Sequence, residues 1–123
     1  MIMRVLVAAV LSLTLIAGAA AQTKKGPNGG LVVTVDDHPI EFVHRGQEIT
    51  FYLNEHDGKP MPTKGLQARA TVQDGGKTVT VTLSPSAPNL FVGKLAAPLG
   101  PKARVVFSSR FNGHALQARF TVD

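Results

Sequence analysis

The sequence predicts an all-β domain of the immunoglobulin-like antiparallel sandwich type, with about 7–8 strands and a small closed β-barrel as the alternative. Three observations predict it. From Leu31 to Val122, apolar residues recur with a period of two, and no window of about a dozen residues carries a helical stripe free of Gly, Pro and β-branched runs. Turn-forming residues interrupt the alternation every 8–12 residues or so. Of the 123 residues, about 100 remain after the N-terminal leader, enough for one hydrophobic core and too few for two.

The first 21 residues have the layout of a secretion signal. Arg4 supplies an early positive charge, Val5 to Ile16 is apolar apart from Ser12 and Thr14, and Ala19-Ala20-Ala21 fits the small-residue cleavage rule, so cleavage is expected before Gln22. The apolar run is shorter than the ~20 residues a bilayer requires, so a periplasmic location with no membrane insertion after cleavage is expected. Residues 22–30 (QTKKGPNGG) are polar and rich in Gly, which predicts a flexible tail ending in a turn. The domain proper is residues 31–123.

Within it, strands are expected at 31–35, 39–44, 48–53, 66–72, 77–83, 90–96, 103–109 and 115–122. Turns fall at Asp36-Asp37, Arg45-Gly46, His56-Asp57-Gly58, Asp74-Gly75-Gly76, Ser84-Pro85-Ser86, Leu99-Gly100-Pro101 and Asn112-Gly113. Thr78 to Leu83 alternates strictly, with Val79, Val81 and Leu83 expected to face the core. In the hairpin of 39–44 with 48–53, residues directly opposite share a face. A turn at Arg45-Gly46 then sets Phe42 against Ile49 and Ile40 against Phe51, and directs Glu41 outward to solvent or a partner with Glu48 nearby. His38 falls at the far end, near Leu53 and the 54–58 turn. His44 falls at the other end, about 20 Å away at roughly 3.3 Å per residue, so the two imidazoles cannot share an ion. The segments LQARATV (66–72) and LQARFTV (116–122) match at six of seven positions. Either an internal repeat or chance recurrence accounts for this, and in both cases Arg69 and Arg119 should point outward.

The absence of cysteine excludes a disulfide framework, thiolate catalysis, a Cys-based zinc site and a lipoprotein anchor. The formal charge is +5, or +4 once the leader's Arg4 is removed, and the basic residues form no run longer than Lys24-Lys25. No nucleic-acid stripe or polybasic membrane patch is visible along the chain. Ser84, Ser86, Ser108 and Ser109 lie outside any nucleophile-elbow context, and the Gly pairs follow no strand-to-helix pattern, so no enzyme is expected. What remains is His38, His56 and Met61, with Asp36, Asp37, Glu55 and Asp57 close by, all brought to one end by the hairpin register. Imidazole suits copper, zinc and nickel, and thioether suits Cu(I), so copper is the natural ion for such a set. Each residue also has a plainer role: His38 at a strand edge, His56 in a polar turn, Met61 packed under a loop. His44 and His114 are read as strand-end and turn residues.

At Gly26-Pro27-Asn28-Gly29-Gly30, at His38-Pro39-Ile40-Glu41-Phe42-Val43, and from Phe51 through Asn54-Glu55-His56-Asp57-Gly58-Lys59-Pro60 to Met61, the sequence resembles a recurring exported module. It is similar to the small periplasmic domains found alone or attached to heavy-metal efflux adaptor proteins, with a GPxGG start, an H-x-x-E-like strand and a YLxDxDGKP-like hairpin. More distantly it is similar in architecture to CopC-type and YtkA-like copper-associated β-sandwiches. The resemblance covers about residues 26–61 by motif and the remainder by strand pattern. It implies periplasmic handling of copper or another transition metal beside an efflux system, and His38, Glu41 and His56 fall on the motif. The chain departs from the CopC type in lacking an N-terminal His and a Met-rich loop. The resulting expectation is a non-enzymatic periplasmic protein that binds a transition metal through His38, His56, Met61 and Glu41, with efflux or other periplasmic proteins as partners. The alternative is a protein-interaction module that uses a sheet face or an open strand edge and no metal.

Overall fold

Two-residue alternation makes the strands, and two-residue turns decide how they pair. In the computed structural model, which describes residues 23–111 and 113–123, nine antiparallel strands form one curled sheet. The expected leader lies outside the described residues. The strands are β1 (Lys24–Lys25), β2 (Leu31–Val35), β3 (His38–Arg45), β4 (Glu48–Leu53), β5 (Ala68–Asp74), β6 (Lys77–Ser86), β7 (Leu90–Lys94), β8 (Arg104–Phe111) and β9 (His114–Thr121). No helix occurs among the described residues. All eight expected strands are present, and the count rises to nine because Lys24–Lys25, within the expected tail, pairs with β2. Two lysines carry no apolar period that could announce a strand.

The strand order is β1-β2-β3-β4-β7-β6-β5-β8-β9. β6 is where the sheet bends: its last residues, Ser84 to Ser86, pair with β7, whereas Lys77 to Leu83 pair with β5. The curl turns the inner side of β3, β4 and β7 toward that of β8 and β9. Phe51 meets Phe107 with ring centroids 4.8 Å apart, Phe42 meets Phe120 at 5.3 Å and Phe91 meets Phe107 at 5.8 Å. These tilted aromatic pairs, with Ile40, Ile49, Leu53 and Val105, form the buried centre. β2 lies against β9 without strand pairing, so the curl stops short of closure.

The β3–β4 hairpin departs from its expected register by two residues. Phe42 opposes Phe51 and Ile40 opposes Leu53, with Arg45 opposite Glu48 and Gly46-Gln47 as the turn. Gly46 has φ 56° and Gln47 does not share the positive sign, which is the requirement of a two-residue turn with glycine first. Inward and outward facing are unchanged by a shift of two, so Ile40, Phe42, Ile49, Phe51 and Leu53 are buried as expected and only their cross-strand partners differ. Asp36 and Asp37, at φ 49° and 64°, make the mirror-image turn that joins β2 to β3. Val79 is 53% exposed rather than in the core, because this stretch of β6 has a neighbour only on the β5 side.

Candidate functional site

Glu41 faces away from Phe42, as alternation requires, yet it is buried rather than solvent-facing. The turn Gly26 to Gly30 folds back over it. The backbone N–H groups of Asn28 and Gly30 each donate to Oε2 at 2.9 Å, and Asn28 Nδ2 donates to Oε1 at 2.8 Å. A Cβ on Gly26 would collide with the Glu41 carboxyl, and one on Gly30 with the Phe42 carbonyl. The GPNGG stretch is therefore a clasp that must pass close to β3, and Glu41 is the anion it closes on. Glu48 is not its neighbour: Glu41 lies beside Val32 and Tyr52, whereas Glu48 sits between Arg45 and Lys94.

His38 reaches the 54–60 segment, as the hairpin direction predicts. Its Nδ1 is 3.3 Å from the Asn54 carbonyl oxygen and 3.6 Å from Glu55 Oε2. The segment is itself a small hairpin. Asn54 bridges to Pro60, Glu55 N–H donates to the Lys59 carbonyl, and Asp57 accepts from Lys59 N–H. Asn89 Nδ2 ties its base down through the Leu53 carbonyl at 2.8 Å. His56 is exposed at the tip. Met61, just past the hairpin, is fully buried, with its N–H on the Leu53 carbonyl. Thr63 is buried alongside and donates to main-chain carbonyls of Ser86 and Leu90. Of the four residues expected to bind metal, Glu41 and Met61 are thus taken up by the fold, and His38 and His56 occupy the base and tip of one hairpin.

The curl places a different imidazole, His114, on the same cleft as His38. Asp36, His38, Phe111, His114 and Leu116 line a cleft of about 510 Å³ between the β2–β3 and β8–β9 turns. The Phe111 ring stands edge-on to His38, with centroids 5.7 Å apart. In the tautomer that donates Nδ1–H to Asn54, Nε2 is the nitrogen that faces an ion, the arrangement by which a carbonyl or carboxylate orients a ligating imidazole. Sequence reasoning missed His114 because it lies 76 positions from His38 and only the approach of β9 to β2 unites them. His44 stacks on Phe42 at the other end of β3. Among the described residues, no group of three or more His, Asp or Glu side chains is arranged to hold a metal ion.

A second feature lies on the outer side of β2, β3, β4 and β7. Register aligns Val32, Glu41, Tyr52 and Leu90 in one cross-strand row and Val43, Thr50 and Val92 in the next, with Arg45, Glu48 and Lys94 as a charged border. Val32, Val43, Tyr52, Leu90 and Val92 are half-buried and belong neither to the core nor to the apolar residues packed against it. Glu41 and Thr50 interrupt the two rows and the 26–30 turn lies against Val32 and Val43, so Tyr52, Leu90 and Val92 are the contiguous apolar part of this face. Searches against family models, curated proteins and solved structures find no match to this chain.

Proposed function

We propose that the chain is a soluble, periplasmic, non-enzymatic binding module that docks on another protein of its compartment through the outer face of β2, β3, β4 and β7. The observation that carries this is the apolar patch Tyr52, Leu90 and Val92, with Val43 beyond Thr50, bordered by the alternating charges Arg45, Glu48 and Lys94. An apolar centre with a charged rim is the usual anatomy of a protein interface, and a tyrosine supplies an amphipathic anchor. The burial of Glu41 and Met61 supports a docking role over a four-residue metal site, since neither side chain has a free donor atom at the surface. The packing of β3, β4 and β7 on β8 and β9 around one aromatic core supports a reading as an immunoglobulin-like sandwich.

The test is site-specific photo-crosslinking in producing cells. A crosslinker at Val92 should yield one discrete heavier species, and Leu90→Arg should abolish it. A crosslinker at Thr80, on the outer side of β6, should yield none. No species from Val92, or equal species from both positions, overturns the proposal.

A second reading is favoured by one specific observation, the cleft shared by His38 and His114. With His38 beside Asn54 and Glu55, this pair offers two imidazoles on one cleft to copper or another imidazole-seeking ion. It keeps the metal role implied by the efflux-adaptor resemblance and replaces His56, Met61 and Glu41 by His114.

A further inference from the structure

The basic residues that form no run along the chain are gathered by strand register. On the outer side of β6, β5, β8 and β9 the cross-strand rows read Thr78-Gln73-Arg104-Thr121, then Thr80-Thr71-Val106-Arg119, then Thr82-Arg69-Ser108-Gln117, with Arg110 opposite Ala115 at the end. Arg69, Arg104, Arg110 and Arg119 are all exposed. Strands about 4.8 Å apart and same-face residues about 6.8 Å apart make this array roughly 15 by 20 Å. The two LQAR segments contribute Arg69 and Arg119, staggered by one row because β5 and β9 flank β8 two residues out of step.

No carboxylate shares this face. Asp36, Asp37, Glu55 and Asp57 lie in the β2–β3 turn and the 54–60 hairpin, Glu41 is buried, and Glu48 is on the other outer face. Asp74 accepts from Gly100 N–H at a corner, and Asp123 lies by Lys25 and His44. Neither ion pair found among the described residues involves an arginine. Four guanidinium groups therefore stand without an internal counter-charge. Arg69 and Arg110, together with Thr82 and Ser108, line an open concavity of about 700 Å³.

We infer that this face adsorbs on an anionic phospholipid surface, with the arginines pairing with headgroup phosphates. Guanidinium forks match phosphate oxygens two at a time, and a lipid leaflet supplies phosphates that move laterally to whatever spacing the array dictates. The array holds no aromatic side chain, so it lacks both the anchor of a protein interface and the stacking platform of a single-stranded nucleic-acid site. Val106 is its one large aliphatic residue, half-buried, so the contact is peripheral and electrostatic, without insertion. It is a different surface from the proposed protein-docking face, and the two leave the molecule able to bind a partner while resting on a membrane.

The experiment is vesicle co-sedimentation of the chain purified from the exported fraction, with phosphatidylcholine vesicles and with vesicles containing about one-third phosphatidylglycerol. Binding should require phosphatidylglycerol and disappear at about 0.5 M salt, because surface charges are then screened within ~4 Å. Each arginine removed should weaken binding about fivefold, the equivalent of about 1 kcal/mol per basic residue at an anionic surface, so the Arg69→Gln/Arg119→Gln double variant should lose about 25-fold. Arg45→Gln/Lys94→Gln, which removes the same charge from the other outer face, should lose less than about twofold. Equal losses from both double variants, binding to neutral vesicles, or no binding at all overturns the inference. Binding of soluble poly-aspartate through Arg69 and Arg119 without vesicle binding also overturns it and assigns the face to an acidic protein.

Discussion

Asn28 and Glu41, thirteen residues apart, are joined by both the side-chain amide and the backbone N–H of the asparagine, at 2.8 and 2.9 Å from the two carboxylate oxygens. This clasp is a structural reason for the GPxGG and H-x-x-E patterns to occur together. The glycines let the chain approach β3, and the glutamate satisfies N–H groups that the turn would otherwise bury without a partner.

Glu41→Ala should destabilise the fold by about 3 kcal/mol, because Asn28 N–H, Asn28 Nδ2 and Gly30 N–H lose a charged acceptor in a site closed to bulk water. Glu41→Gln, which keeps the shape and one acceptor oxygen, should cost about half as much. Urea unfolding followed by tyrosine fluorescence measures both. Tyr52 is the single tyrosine, the chain has no tryptophan, and Tyr52 lies directly opposite Glu41. A cost below about 0.5 kcal/mol for the alanine variant would mean that the clasp contributes no stability.

Adjacent glycines in the clasp should respond differently. A methyl group on Gly30 meets the main chain of Phe42 and lies 2.7 Å from Val43 Cγ2, so Gly30→Ala must displace β2 from β3 and should cost about 3 kcal/mol, at the upper end for overpacking. Gly29, at φ 79° with nothing near its Cβ position, should cost only the left-handed penalty of about 1 kcal/mol as Gly29→Ala. Chemical denaturation midpoints distinguish them, and equal losses would show that the close approach to Phe42 relaxes freely.

Local pattern made the strands legible, and distant pairing hid most of the site. Alternation identified Ile40, Phe42, Phe51 and Leu53 as core residues, because burial on one side of a strand depends only on period. It left the pairing of Phe42 with Phe51 undetermined, since a shift of two residues preserves every facing. The position of Gly46 as the first turn residue resolves that shift through backbone conformation rather than hydrophobicity. The covering of Glu41, the shared cleft of His38 and His114 and the assembly of the four arginines all depend on segments far apart in sequence. No local period encodes the return of the 26–30 turn over β3 or the approach of β9 to β2. The outward direction of Arg69 and Arg119 was readable; their convergence with Arg104 and Arg110 was not.

Met61 gives a clean separation of core residue from ligand. Its side chain is fully buried, so Met61→Ala should cost about 2–5 kcal/mol through lost contacts and the cavity left behind, whereas Met61→Leu should cost less than about 1.5 kcal/mol. If the thioether is packing and nothing more, calorimetric titration with Cu(I) should give the same affinity for the Leu variant and the parent. Retained stability with lost Cu(I) affinity would return Met61 to the ligand set.

For the cleft at the β2–β3 rim, the ordering of effects across histidine variants decides whether an ion belongs there. Titration with Cu(II) and Zn(II) should show binding that is lost in His38→Ala and in His114→Ala, since both imidazoles line the same cleft. Glu55→Gln should weaken it about tenfold, the usual effect of removing a group that orients a ligating imidazole from 3.6 Å away. His44→Ala and His56→Ala should change affinity less than about twofold. His44 stacks on Phe42 at the opposite end of β3, and His56 stands exposed at the hairpin tip, so neither contributes to the cleft. An affinity that falls with His56→Ala and ignores His114→Ala would move the ion to the 54–60 hairpin, because that outcome requires the tip imidazole rather than the one on β9 to complete the site with His38.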